Sequence, residues 1–161
     1  MSLDINSKSL DTVEAHLSNF AMLGVFEFRG FKCSSIEGPL QALKIREVYF
    51  KERVYQMDPR QYSKIHKKAH HADWQMRKNR HLFDSDGKKI ERLSQAYRNY
   101  VRELFDAAFY GRSMYRHALD LAAGEELKHS IGKHDPYETV LTNNEFFEQL
   151  YRLQVKLLTE N

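Results

Sequence analysis

The sequence predicts a mainly α-helical single domain with one small β-hairpin near its N-terminus. Three observations lead there. Two stretches, 94–111 and 142–157, carry apolar residues at helical spacing behind recognisable capping residues. Only 3 Pro and 7 Gly punctuate 161 residues, too few for long flexible linkers. A single short segment, VFEFRGFKC, alternates apolar and charged residues as a strand does.

In that segment Phe26, Phe28 and Phe31 are spaced by charged residues, and Arg29-Gly30 is placed to turn a hairpin. Ser34 or Ser35 then offers an N-cap, predicting a helix to about Tyr49 with Pro39 in its first turn. Asp58-Pro59 reads as a turn into a basic helix, PRQYSKIHKKAHHADWQMRKN. DSDG, from Asp84 to Gly87, reads as another turn. The stretch SQAYRNYVRELFDAAFYG predicts a long helix capped by Ser94 and ended by Gly111, with Tyr97, Val101, Leu104 and Ala108 on one face. SMYRHALDLAAG predicts a second helix closed by Gly124. TNNE, Thr142 to Glu145, is a capping box, and Phe146, Leu150, Leu153 and Leu157 form the stripe of the last helix. The domain is read as 1–161 with a core spanning about 17–158.

Composition bounds the function classes. Ten Phe and 9 Tyr argue against a disordered chain. A net charge of +3 suits a phosphate-bearing ligand without demanding nucleic acid. The one cysteine, Cys33, cannot form an internal disulfide, which points to a reducing, cytoplasmic setting. The first residues lack the basic and apolar regions of a secretory signal, and no apolar run reaches bilayer length. Neither a membrane nor a stable protein partner is expected.

Glu37, Gln41 and Lys44 are spaced four and then three apart, so a helix would bring them to one face. The plain reading is a solvated stripe with a loose ion pair. Two features favour chemistry: Leu40 and Leu43 flank the stripe and call for burial, and the stripe follows directly on an aromatic hairpin. An amine among apolar groups becomes a nucleophile, and a nearby carboxyl moves protons for it. His66 and His70, with His71 and Asp73, have metal-compatible spacing, but no second ligand cluster accompanies them and Lys67 and Lys68 would repel a cation. No metal site is assigned. The basic run holding Trp74 could touch phosphates, or be a solvated helix with Trp74 half-buried. Cys33 beside Glu37 reads better as a buried strand-end thiol than as a nucleophile.

Taken in order, several stretches resemble one family. LSNFA at Leu17 to Ala21 precedes the hairpin, and SSIEGPLQALK follows it. This resembles the opening of the NADAR family, which includes the YbiA-like proteins: an S-N-F element, then an S-x-E element whose helix carries Q-x-x-K. ERLSQAYRNYVRELFDAAF, ALDLAAGEELKHSIGK and TVLTNNEF resemble later blocks of one branch. The resemblance runs from about Leu17 to Leu153.

What it implies is a YbiA-like helical fold and cleavage of a carbon–nitrogen bond at a ribose. Members resemble either N-glycosidases of riboflavin-pathway intermediates or hydrolases that remove ADP-ribose from guanine, countering ADP-ribosylating toxins. The family's Glu and Lys match Glu37 and Lys44. By this resemblance Lys44 attacks the anomeric carbon and Glu37 shuttles protons. Ser18, Asn19 and Phe20 match the S-N-F element. Asn19 and Gln41 would hold ribose hydroxyls, Phe20 or Trp74 would stack on a base, and His129, Ser130 and Gly132 would line the phosphate or ribose side. The scheme uses no metal or redox cofactor.

The chain also departs from the family pattern. Gly38 and Pro39 stand where the YbiA branch has a His and an aromatic. HKKAHHAD keeps only Ala69 of a G-x-x-A-K-x-x-G element, and HSIGKHDPYETVLT replaces a late W-G-x-G element. These departures favour the branch that acts on ADP-ribosylated guanine, in a nucleoside or nucleic acid, as an antitoxin. The alternatives are the riboflavin-pathway reaction, a module that binds ADP-ribose or NAD without cleaving it, and a general nucleic-acid binder.

Overall fold

The computed structural model describes residues 1–61, 78 and 80–160. Six short strands and six helices are found there, numbered in chain order. They are β1 Ser2–Asp4, α1 Thr12–Leu17, β2 Phe26–Phe28, β3 Phe31–Cys33, α2 Glu37–Ala42, α3 Val48–Gln56, β4 His81–Phe83, β5 Lys89–Glu91, α4 Gln95–Gly111, α5 Ser113–Leu121, β6 Glu126–Lys128 and α6 Asn143–Thr159. A 3₁₀ turn occupies Pro59–Gln61.

The helix α4 is the centre of the core. Tyr97, Tyr100, Val101, Leu104, Phe105, Ala108 and Phe109 are buried along one face, at the spacing of a helix that meets neighbours along its whole length. Burying a side chain the size of Leu104 contributes about 1.5–3 kcal/mol. The stripe of α6 (Phe146, Leu150, Leu153) and the buried face of α5 (Tyr115, Ala118, Leu119) complete this layer. The hairpin β2–β3 lies across α4, with Phe28 edge-on to Tyr100 at 5.0 Å. Its turn takes positive φ at both Arg29 and Gly30, as a type I′ two-residue turn requires. Arg29 is held there by the Tyr100 ring and by Glu103 at 2.8 Å.

The caps expected at Ser94 and at the Thr142–Glu145 box are both made. Glu145 does more than cap: its two oxygens take both terminal nitrogens of Arg92, at 3.0 and 2.6 Å, and Arg92 has no exposed surface. Arg92 also donates to the Thr139 carbonyl, and Tyr97 donates to that of Val140. The loop before α6 is thereby fastened to α4.

Three features differ from the sequence expectation. The helix predicted to reach Tyr49 stops at Ala42, because tertiary bonds take the carbonyls that would continue it. Lys51 donates to the Ala42 carbonyl and β4 donates Phe83 N–H to the Leu43 carbonyl. The chain turns and α3 packs back on α2, with Gly38 at the crossing: a Cβ there would lie 2.9 Å from the Val54 carbonyl oxygen. The DSDG turn is the tip of a second hairpin, β4–β5. Strands β1 and β6 form a parallel pair across most of the chain length, Leu3 opposite Leu127. No helix among the described residues is long and apolar enough to cross a membrane.

Candidate active site

A cavity of about 640 Å³ opens where these loops meet. Ser18, Asn19 and Phe20 reach it from the end of α1, Glu37, Leu40 and Gln41 from α2, and Lys44 from the turn after α2. His129 and Gly132 enter from the loop after β6, and Val140, Leu141 and Phe146 close the apolar side.

The wall of α2 follows from its sequence. Glu37 and Gln41 are one turn apart, and Gln41 Nε2 donates to Glu37 Oε1 at 2.5 Å. Gly38, Pro39 and Ala42 are buried on the side away from the cavity, where Tyr100 donates to the Pro39 carbonyl at 2.7 Å. Gly38-Pro39 thus serves the packing of α2 on α3 and α4. Lys44 is past the helix end, its N–H donating to Gln41 O at 3.1 Å in a tightened last turn. Ser35 works as a cap: its hydroxyl accepts the Gly38 N–H at 3.1 Å. The Glu37 N–H donates to the Asn19 carbonyl at 2.9 Å, which fastens the Ser18–Phe20 segment to α2.

Electrostatically, Glu37 is the perturbed group of the site. Burial lifts its carboxyl above the ordinary carboxylate range, and the Gln41 hydrogen bond and the charges of Lys44 and His129 offset only part of that. The side-chain oxygen of Asn19 is buried without a partner, an acceptor available to a ligand N–H or O–H.

The β6 side is tightly built. His129 Nδ1 lies 2.8 Å from the Ile5 carbonyl oxygen, and its ring stands edge-on to Phe146 at 5.3 Å. Gly132 is there for close approach: a Cβ would come within 1.7 Å of Asn143 Oδ1 and 2.4 Å of His129 Cδ2. Ser130 does not line the cavity. Its N–H and hydroxyl both donate to Asp4, at 2.9 and 2.6 Å, so it latches the β6 loop to β1. These bonds hold the Asp4 carboxyl below its usual range.

Trp74 and the cluster of His66, His70, His71 and Asp73 lie outside the described residues. Among the described residues no group of three His, Cys, Asp or Glu could hold a metal. Cys33 is fully buried at the end of β3, and burial pushes its thiol up to about 12.

The profile of a family described as Bacteriophage protein GP30.3 matches residues 12–155. The chain belongs to that family. No curated protein matches the sequence. Among solved structures, the NMR structure of the E. coli protein YbiA superposes with a TM-score of 0.55 at 17% identity, over 99% of this chain and 88% of that one. The GP30.3-family chain therefore has a YbiA-like fold, as the resemblance implied. The matching profile is not specific to one branch or one substrate.

Several polar cavity residues of this GP30.3-family member escaped the sequence reading, among them Asn6, Lys8, Arg60 and Lys133. Asn6, Lys8 and Lys133 are in loops and Arg60 is in the 3₁₀ turn, and none belongs to a periodic apolar stripe. Lys8 and Lys133 follow β1 and β6, so the parallel strand pair brings them to the same cavity. Together with Lys44 and Arg60, the latter paired with Asp58 at 3.4 Å, they set four cations against Glu37, Asp58 and Glu138, a positive balance that suits phosphate oxygens.

Proposed function

We propose that the protein is an N-glycosidase-type hydrolase that cleaves a ribosyl C–N bond, removing ADP-ribose from ADP-ribosylated guanine in nucleic acid. The observation that carries this reading is the shared cavity wall: a carboxyl and an amine, Glu37 and Lys44, separated by the Gln41 that hydrogen-bonds the carboxyl.

The chemistry needs a nucleophile for the anomeric carbon and a group that takes and returns protons. Lys44 supplies the amine. Its attack forms a bond from Nζ to the anomeric carbon, and opening of the ribose ring converts that adduct to a Schiff base, which water hydrolyses. Glu37, whose carboxylate is made more basic by burial, accepts the surplus proton of Lys44 and, as the acid so formed, returns it during hydrolysis. Asn19 and Gln41 hold ribose hydroxyls, and Phe20 stacks on a base. Lys8, Arg60 and Lys133 meet the diphosphate.

The cation surplus favours a substrate bearing phosphates, and the departures at Gly38-Pro39 and at HSIGKHDPYETVLT favour the ADP-ribose branch. The test is direct competition. The protein is incubated with ADP-ribosylated guanine in nucleic acid and with a riboflavin-pathway ribosylaminopyrimidine. Release of ADP-ribose alone is expected. Cleavage of the pyrimidine substrate instead would move the protein to the other branch, and binding without cleavage of either would make it an ADP-ribose reader.

A further inference from the structure

Resting on the hydrolase reading, we propose that His129 is the acid of the reaction, its Nε2–H giving the proton that the departing guanine nitrogen requires. Three contacts fix this ring on the cavity wall. Nδ1 is 2.8 Å from the Ile5 carbonyl oxygen. A carbonyl only accepts, so Nδ1 carries a hydrogen, and Nε2 is the nitrogen left for a ligand. Phe146 meets the ring edge-on at 5.3 Å. Gly132 backs it so closely that a Cβ would stand 2.4 Å from Cδ2. The backbone is held as well, because the His129 carbonyl accepts from Asn143 Nδ2 at 2.9 Å and from Gly132 N–H at 3.0 Å. The imidazolium form carries a hydrogen on each nitrogen, and with Nδ1–H held by the carbonyl the Nε2 proton is the one that can be given up.

The reaction has two proton demands on opposite faces of one carbon. The attacking amine must lose a proton while the leaving nitrogen gains one. Glu37 and Lys44 come from the same wall, α2 and its following turn, so Glu37 serves the attacking side. His129 reaches the same cavity from a different element, the loop after β6. Two groups from two elements can meet the two proton demands, as paired acids and bases do in other glycosidic cleavages. In the balanced step the C–N bond breaks and its electron pair goes to the guanine nitrogen, which takes the Nε2 proton. The Lys44 lone pair forms the new bond to carbon, and its surplus proton passes to Glu37. Water then hydrolyses the Schiff base, and the imidazole regains a proton from solvent.

The charged groups around the ring come from each neighbouring element. Asp4 is on β1 and Lys8 follows it, while Glu37 and Lys44 face it from the α2 side. Lys128 and Lys133 flank it along its own strand and loop, and Glu138 lies on the segment before α6.

The test uses two substrates: ADP-ribosylated guanosine and its N7-methylated counterpart, whose cationic ring lets the nitrogen depart without a proton. His129→Gln should lower kcat on the first about 100-fold or more and on the second by less than about 10-fold. The Kd for ADP-ribose should stay within about 3-fold, which also shows that the variant is folded. Wild-type kcat should fall at alkaline pH for the plain substrate and not for the methylated one, a readout that needs no variant. Equal losses on both substrates, or identical pH profiles, would overturn the role of His129 while leaving the hydrolase reading standing. Wild-type protein that cleaves neither substrate would remove that reading and this inference with it.

Discussion

Lys51 ties the stability of the fold to pH. Its side chain is fully buried, and no carboxylate among the described residues is bonded to it. Nζ donates to the Ala42 and Phe83 carbonyls, at 2.5 and 2.8 Å. A neutral amine has two hydrogens, enough for both bonds. Burial pulls the ammonium down from an ordinary 10.5 to about 7, with Asp84 and Glu47 opposing. The folded group therefore binds its proton less tightly than the unfolded one. Stability rises with pH wherever the unfolded chain holds the extra proton, from about 7 up to 10.5. Integrated from pH 7 to pH 9, the gain is about 2 kcal/mol, on the order of 4–8 °C in Tm for a chain of this size. The upper limit of the window is set elsewhere. Cys33 is pushed up from 9.0 to about 12 by burial, so its linkage runs the other way above pH 9. The assay is thermal melting at pH 7, 8 and 9 for wild type and Lys51→Met. A rising Tm in the wild type and a flat one in the variant are expected. A wild-type Tm that is level or falls over that range would refute the reasoning, as would the same rise in Lys51→Met.

Two further substitutions probe the frame of the site. Glu145→Ala leaves the fully buried Arg92 without its carboxylate and unfastens the loop of Thr139 and Val140; urea unfolding should show a loss of about 3–5 kcal/mol. Gly38→Ala sets a Cβ 2.9 Å from the Val54 carbonyl and 3.2 Å from that of Tyr55, so α2 must shift off α3. A loss of about 1–3 kcal/mol is expected from melting curves, with turnover falling as the Glu37 wall moves.

The long helices were legible because each carries its own signals: an N-cap at Ser94, a capping box at Thr142–Glu145, and several turns of apolar spacing. The first hairpin was legible from three alternating phenylalanines. What could not be read rests on partners far along the chain. Three-residue strands such as β1 and β6 hold too few positions to show alternation, and they pair across more than 120 residues only in the folded chain. The early end of α2 depends on Lys51 and Phe83 taking its last carbonyls. The same distinction holds at the site. Glu37, Gln41 and Lys44 were grouped by spacing and singled out, with Asn19 and Phe20, by the family motifs, whereas Lys8, Arg60 and Lys133 carry neither signal and meet the cavity from two loops and the 3₁₀ turn. Ser130 was placed in the cavity by the family resemblance; its hydroxyl instead turns to Asp4.

The central claim is that Lys44 bonds to the ribose. It is tested by borohydride reduction during turnover of ADP-ribosylated guanosine, followed by intact-protein and peptide mass spectrometry. The account predicts a ribose-containing adduct on Lys44 in the wild type, and neither adduct nor turnover in Lys44→Met. A fully active Lys44→Met protein, or an adduct on another residue, would contradict it.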